Sequence, residues 1–546
     1  MRPEHRGQVL IAKGSLRRRK FGQRLHYRRG KATTLRKQPA IHQTEWCAHS
    51  TTSSEAVQQN TAMKGVRLPC SSLLGVSLTV RLARTSSRLP FTCCERKFCS
   101  TTRCLENRSK PLLLVVGGGA AGIYASVRAK EVAPHLNVLV IEKGKPLSKV
   151  RISGGGRCNV TNGNFLENKG LAGNYPRGNK ELKGAYFSTH GPQDTMSWFS
   201  SHGVDLKNLA FPQIEEDGRV FPVSNTSASI VDCLLGEAKE RGVQLHTGKV
   251  ISSASISCKG KFNLKMEKRT IDYVEDIEVD FLLVSTGSNQ QGYQLAVQLG
   301  HSIVQPMPSI FTFKIEDTKL QSLSGITLPK VKAKLKLENI YKNQPEYTQV
   351  GPMLVTHWGL SGPVILRLSA WGARDLFLSE YKGFLCIDFI PDINVEDLKV
   401  ILSQHRDHMA KQQLSNSFPS EFGLVKRFWG YLLDREGLDG DQPWACIANK
   451  SLNSIALLLK QCSFKVVGKG QFKEEFVTSG GVPLSEINLS NMESRIRRNL
   501  FFAGEVLNVD GITGGFNFQN AWTGGYIAGT SIGELASSYN QHVGVV

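Results

Sequence analysis

The chain has 546 residues, 40% hydrophobic and 21% charged, with 52 glycines and a formal net charge of +22. That size and balance suit several packed domains and exclude a wholly disordered chain, and no stretch of about 18 apolar residues is present to cross a membrane. The charge sits at one end: residues 1–110 carry 23 Lys and Arg against 5 Asp and Glu, a net of +18, which leaves +4 for the other 436 residues. A polyanion footprint is therefore not expected on the body, and no nucleic-acid partner is assigned to it.

Residues 1–110 are rich in Arg, Ser, Thr and Cys, poor in acids and without periodicity. This is the composition of an organelle transit peptide, with plastid favoured and mitochondrion the alternative. Met63 opens a second leader-like segment, so 1–62 reads as an extended start. Six cysteines (Cys47, Cys70, Cys93, Cys94, Cys99, Cys104) lie in this leader. The six in the body are irregularly spaced, so neither a disulfide framework nor a metal site is expected.

Past the leader, PLLLVV (111–116) predicts a buried parallel strand, 120–131 a helix, and NVLVI (137–141) a second buried strand ending at Glu142. A glycine-rich loop follows, then a helix over 229–241 and strands between 243 and 284. Residues 309–390 alternate like a small sheet or barrel, 391–465 look helical, and 466–540 return to strand, loop and glycine-rich helix. The expected organisation is a leader to 110, a nucleotide-binding domain split between 111–308 and 466–540, and two inserted segments, 309–390 and 391–465.

Gly117, Gly119 and Gly122 spell G-x-G-x-x-G directly after a strand and at the opening of a helix. The first glycine permits the turn, the second lets a pyrophosphate approach the backbone, and the third lets the helix pack on the strand. The helix N-terminus offers free N–H groups to phosphates. Glu142, twenty residues after Gly122, suits an acceptor for ribose hydroxyls. This fingerprint does not choose between NAD and FAD. The other end does: LFFA (500–503) runs into Gly504-Glu505, then a glycine cluster over 511–517 and a helix, the arrangement of two-part FAD domains.

The stretch KVRISGGGRCNVTN (149–162) resembles the signature of the HI0933-like, or BaiN-like, flavoprotein family, whose members are also labelled aminoacetone oxidase-like. EDGRVFP (216–222), STGS (285–288), MLVTHWGLSGP (353–363), TSGGVPLSEI (478–487) and FFAGEVLNVDGITGGFNFQNAW (501–522) match it in order, and the body looks like a plant branch. The resemblance implies an α/β fold: a two-part Rossmann-like FAD-binding domain with an inserted β-rich, barrel-like domain and a small helical domain. It places Gly117, Gly119, Ala121 and Gly122 on the pyrophosphate and Glu142, with Lys143 beside it, on the adenosine ribose. Ser153, Gly154, Gly155, Gly156, Arg157, Cys158 and Asn159 would wrap the flavin side, and Val250 would meet the adenine through its backbone. Thr286 and Gly287 would close over the pyrophosphate, while Gly504, Glu505, Gly515 and Asn517 would hold the ribityl chain and ring. Asn508 departs from the family, where many members carry Asp.

Two residues are candidates for chemistry. His357 reads as a proton donor or substrate contact, or as a histidine bonded within a structural loop. Cys158 reads as a redox-active thiol or, preferentially, as a cysteine packed on the cofactor. One G-x-G-x-x-G unit leaves no second site for a resident nicotinamide, so NAD(P)H is expected only as a transient co-substrate. The expected activity is flavin-dependent hydride transfer on a small organic molecule. The alternatives are an RNA-associated flavoprotein and a non-catalytic redox sensor.

Overall fold

A computed structural model describes residues 110–165, 168–206, 218–268, 274–337, 347–470 and 477–541. Residues 1–109, with Met63 and the six leader cysteines, lie outside the described residues, as do Glu216 and Asp217 of the EDGRVFP stretch.

The apolar run Leu112–Val116 is β1, buried on both faces between parallel neighbours. It leads through α1 (Ala120–Val132) to β2 (Asn137–Glu142) and α2 (Ser148–Gly156). Helix α3 (Ala228–Glu240) returns the chain to β3 (Gln244–Thr247) at the sheet edge. A separate three-stranded antiparallel sheet follows: β4 (Lys249–Ile256), β5 (Phe262–Lys268) and β6 (Val274–Val279). β7 (Phe281–Val284) then enters the main sheet on the other side of β1 and leads to α4 (Gln290–Gln298).

The chain leaves this unit through β8 (Val304–Pro308) and builds a closed six-stranded barrel. Its strands are β9 (Phe313–Ile315), β10 (Thr327–Leu337), β11 (Tyr347–Thr356), β12 (Gly359–Ser361), β13 (Gly383–Asp388) and β14 (Cys462–Lys469). On β10, Val331, Ala333 and Leu335 are buried inside while Lys332 and Lys336 are exposed outside, the period of two that a half-buried strand requires. Helices α5 (Pro363–Trp371) and α6 (Ala373–Leu378) follow β12. Helices α7 (Val395–His408), α8 (Lys426–Arg435) and α9 (Asn449–Gln461) share one apolar core with the barrel through Leu398, Phe428, Trp429 and Ile455. The barrel therefore extends past the expected boundary at 466. Its closing strand starts at Cys462 because it must pair with both β13 and β9.

The return passes through β15 (Thr478–Gly481), antiparallel to β8, and through β16 (Leu500–Phe502), parallel to β7. The 26-residue helix α10 (Phe516–Gln541) ends the described fold. It lies against α1 because Gly525, Gly529 and Gly533 let the backbones meet: a Cβ at Gly529 would stand 2.5 Å from the Ala125 carbonyl oxygen. The seven-stranded sheet places β16, β7, β1, β2 and β3 side by side, with Ile487–Asn488 and Glu493–Ser494 beyond β16. Sequence order reverses at β1, so a crevice opens at the carboxyl ends of β1, β7 and β16, where ligands bind in open α/β sheets. No helix among the described residues is long and apolar enough to cross a membrane.

Candidate functional site

Four loops meet in that crevice. The first follows β1. Gly117 has φ +107°, and a Cβ there would stand 2.5 Å from the Ser285 carbonyl oxygen, so only glycine lets the β1 and β7 loops close together. A Cβ at Gly122 would reach 2.0 Å from the Gly117 carbonyl oxygen, but one at Gly119 would meet nothing within 4 Å. Gly119 is the N-cap of α1, no side chain caps that helix, and no acidic residue lies in its first turn. Its free N–H groups thus open on space, which fits the pyrophosphate of a dinucleotide.

Glu142 ends β2 beside this loop. Its Oε2 accepts the Gly118 N–H at 2.8 Å and its Oε1 the Gly144 N–H at 2.7 Å. A carboxylate has about four acceptor positions, so the two oxygens are fixed and still able to take ribose hydroxyls. Lys143 is exposed next to it. Val250 lies on β4, three residues past Thr247, the register partner of Glu142.

The second loop is the break in α2. Ser153 leaves the helical region, and Gly154, Gly155 and Gly156 run with φ +56°, +69° and +84°. An added Cβ at Gly155 or Gly156 would meet nothing within 4 Å, so this stretch presents bare backbone to open space. Arg157 lays its guanidinium 4.1 Å from the centre of the Phe221 ring, and Asn159 Oδ1 accepts the Val220 N–H. Cys158 is fully buried, and burial pushes its thiol up to about 12, against a smaller lowering by Ser153. It is a packed, protonated thiol at neutral pH.

The third loop follows β7. Ser285 Oγ donates toward the carbonyls of Val116 and Gly117, at 3.2 and 3.0 Å. Thr286 Oγ1 is buried without a hydrogen-bond partner among the described residues, as are Ser479 Oγ and Asn508 Oδ1. The fourth loop follows β16. Gly504 packs on Ala121, and Glu505 stands 3.7 Å from where a Cβ on Gly287 would be. Glu505 Oε1 accepts the Thr478 N–H at 2.9 Å, and its Oε2 pairs with Lys149 of α2 at 3.0 Å. Lys149 also reaches Ser288 at 3.3 Å, so one lysine ties three of the four loops. The sequence reading passed over it, although it begins the quoted 149–162 stretch.

Gly515 and Asn517 sit where α10 starts. A Cβ at Gly515 would collide with the Thr161 backbone at 2.4 Å. The Asn517 amide is largely committed to its own loop: Oδ1 accepts from Gly511 N at 2.9 Å and Nδ2 donates to Gly511 O at 2.8 Å. It shapes the α10 entry, with one donor and one acceptor position in reserve.

A second group was also missed. Arg177 Nε donates to Asp510 Oδ1 at 2.5 Å, and Nη2 pairs with Asp510 Oδ2. Its Nη1 also donates to Ala370 O at 2.6 Å and its Nη2 to Ser309 Oγ at 2.8 Å. Burial, then the Arg374 charge, pulls the guanidinium down to about 9, while Tyr347 acts in the opposite sense. This hub binds the loop before α10 to the linker after β8 and to α5. It was illegible because its four parts are far apart in sequence.

The structure does not bring His357 to these loops. It is exposed on the β11–β12 turn, and its described contacts, Ser324 at 3.1 Å and the Trp358 ring, lie within the barrel unit. No group of three or more His, Cys, Asp or Glu among the described residues converges as a metal site.

Fold and crevice define a Rossmann-type dinucleotide-binding α/β protein carrying an inserted barrel. The family described as HI0933-like protein Rossmann domain matches residues 111–531, and the chain belongs to it. It is 26% identical over 427 residues to a 3-dehydro-bile acid delta(4,6)-reductase of Clostridium scindens, covering 77% of this chain and 98% of that one. It is 28% identical over 429 residues to a ribosomal RNA dihydrouridine synthase of Escherichia coli K12, covering 75% and 95%. Among solved structures, a 3-ketosteroid-delta4-(5alpha)-dehydrogenase from Rhodococcus jostii RHA1 aligns with TM-score 0.42 and 13% identity, covering 79% and 98%.

Proposed function

We propose that the protein is a FAD-dependent oxidoreductase that reduces a carbon–carbon double bond conjugated to a carbonyl, with NAD(P)H as a transiently bound electron donor. The observation that carries the cofactor is the convergence of four loops on a crevice whose helix start is uncapped and open at Gly119. Gly117, Gly119, Ala121 and Gly122 would hold the pyrophosphate, with Thr286 and Gly287 opposite, Glu142 the ribose, and Val250 the adenine. The bare backbone of Ser153–Gly156, with Arg157 and Asn159, would line the flavin side, and Gly504, Glu505, Gly515 and Asn517 the ribityl side. Bound there, FAD supplies hydride-transfer chemistry. The protein orients it and excludes water. Glu505, fixed by Thr478 and Lys149, sets the charge at the mouth. The start of α10 favours negative charge near its N–H groups.

The substrate class follows from what the relatives are named for. A delta(4,6)-reductase acts on a double bond of a 3-oxo steroid, and dihydrouridine formation saturates the uracil double bond next to a carbonyl. Both add a hydride to the electron-poor carbon of the alkene and a proton to the carbon next to the carbonyl. A second reading, in which the alkene is a uracil within RNA, is favoured by the dihydrouridine synthase relatives. The test is anaerobic absorbance of the purified full chain before and after NADH or NADPH, then after a 3-oxo-4,6-diene steroid or a uridine-containing RNA. Bleaching by a nicotinamide and recovery with an acceptor is the expected result. A yellow protein that no nicotinamide bleaches would overturn the donor, and one reoxidised only by oxygen would overturn the acceptor class.

A further inference from the structure

The body's small net charge hides an uneven distribution. On the outer face of the barrel, Lys332 and Lys336 of β10 are exposed, roughly 13 Å apart along the strand. In register with Lys336 is Phe384 of β13, and in register with Phe384 is Lys465 of β14. Phe384 is 41% exposed, although a phenylalanine on a solvated sheet face gains nothing from water. Directly opposed residues on neighbouring strands stand about 5 Å apart at Cβ, so the ring is flanked on both sides by a lysine.

Two carboxylates border the patch, and other lysines already hold both. Asp392 pairs with Lys330 at 2.6 Å and Asp388 with Lys460 at 2.7 Å. Lys332, Lys336 and Lys465 have no carboxylate partner among the described residues. Val350, 43% exposed, lies opposite Lys332 on the other flank of β10. The row Lys336–Phe384–Lys465 belongs to the barrel end that joins the dinucleotide unit. There Gly383 pairs with Val466, Lys469 with Phe313, and Gly470 with the linker residue Thr312.

An exposed ring between lysines that have no carboxylate partner among the described residues is the arrangement that takes single-stranded nucleic acid: cations track the phosphates, and the ring stacks a base whatever its identity. We propose that this face of β10, β13 and β14 binds single-stranded RNA, with Lys332, Lys336 and Lys465 on phosphates and Phe384 under a base. The patch is independent of the redox chemistry. Only the choice of RNA over DNA rests on the second reading above.

The test is fluorescence anisotropy of the full chain with a uridine-rich 12-nucleotide RNA over a range of salt, alongside the matched DNA. The basic leader is a constant background, so variants are compared at the same length. Lys332→Gln/Lys336→Gln/Lys465→Gln is set against a control, Lys180→Gln/Lys239→Gln/Lys259→Gln, drawn from exposed lysines elsewhere. The barrel triple should weaken binding at least tenfold and lower the slope of log affinity against log salt by about 2, at roughly 0.7 per phosphate contact. Phe384→Ala should weaken it about tenfold with the slope unchanged. Unchanged melting and flavin content show that these variants fold. Equal losses in the two triples, no effect of Phe384→Ala, or equal affinity for DNA would overturn the proposal. So would loss of binding to phosphatidylglycerol vesicles with RNA affinity intact, which would assign the face to a membrane. Nicotinamide bleaching of the flavin is read separately, so the two claims fail independently.

Discussion

The crevice and the barrel are built on opposite principles. In the crevice the working surface is backbone: glycines whose missing side chains either admit another loop, as at Gly117 and Gly122, or leave room, as at Gly119. In the barrel the working surface is side chain, projected at a period of two from a closed sheet whose backbone is already paired. Where glycines close loops, as at Gly117 and Gly122, the backbone tolerates no added atom, and such a site says little about which substrate arrives. Side-chain surfaces tolerate substitution.

Glycine substitutions should sharpen this contrast most. Gly117→Val and Gly122→Val drive a side chain into backbone atoms, and both should abolish cofactor retention and lower the melting temperature. A Cβ at Gly119 meets no protein atom within 4 Å, so Gly119→Val fills open space. It should leave the melting temperature of the cofactor-free protein nearly unchanged while lowering FAD affinity at least tenfold. If all three behave alike, the distinction between glycines that close loops and glycines that leave room is wrong.

Arg177→Leu should cost about 3–5 kcal/mol in urea unfolding, because it strands the fully buried Asp510 carboxylate. Arg177→Leu/Asp510→Asn should recover part of the loss. A loss below about 1 kcal/mol would show that the hub does not hold barrel and crevice together.

A third expected effect is pH-dependent and belongs to the crevice unit. His190 is buried between α1 and α10, bonded to Tyr124 at 2.9 Å and stacked on Tyr526. Burial pulls its imidazole down to about 4. The unfolded chain takes up a proton near pH 6.5 that the folded chain refuses, so stability is full above about pH 6.5 and falls as pH drops toward 4. The loss reaches roughly 3 kcal/mol below that range. His190→Gln should flatten this part of the profile, and an unchanged slope would contradict it.

The smallest effect is expected at Lys149. Its ion pair with Glu505 has a half-exposed ammonium, so Lys149→Met should cost under about 1 kcal/mol of stability. FAD affinity should fall more than stability does. Equal losses would make Lys149 a surface lysine and no tie between loops.

How far the molecule was legible follows the same division. Pro111–Val116, Gly117, Gly119, Gly122 and Glu142 lie within about thirty residues, so spacing alone located the first half of the crevice. Gly504 and Glu505 could be joined to it because a strand must precede them. Arg177, Asp510, Ser309 and Ala370 are spread over more than three hundred residues and obey no period, so only folding assembles them. The Lys336–Phe384–Lys465 row is likewise a product of sheet register across three distant strands. A net charge summed along the chain averages it away. His357 shows the converse. Its sequence left open a proton donor or a histidine of a structural loop, and the neighbouring Gly359 serves a barrel turn: a Cβ there would stand 2.3 Å from the Phe313 carbonyl oxygen.

The most direct measurement is a flavin titration of the cofactor-stripped full chain, reading melting temperature and bound-flavin absorbance for the wild type and Gly119→Val. The wild type should turn yellow and gain thermal stability with FAD, more than with FMN or NAD, and Gly119→Val should do neither at the same concentration. A wild-type chain that stays colourless and gains no stability from FAD would contradict the assignment of the crevice.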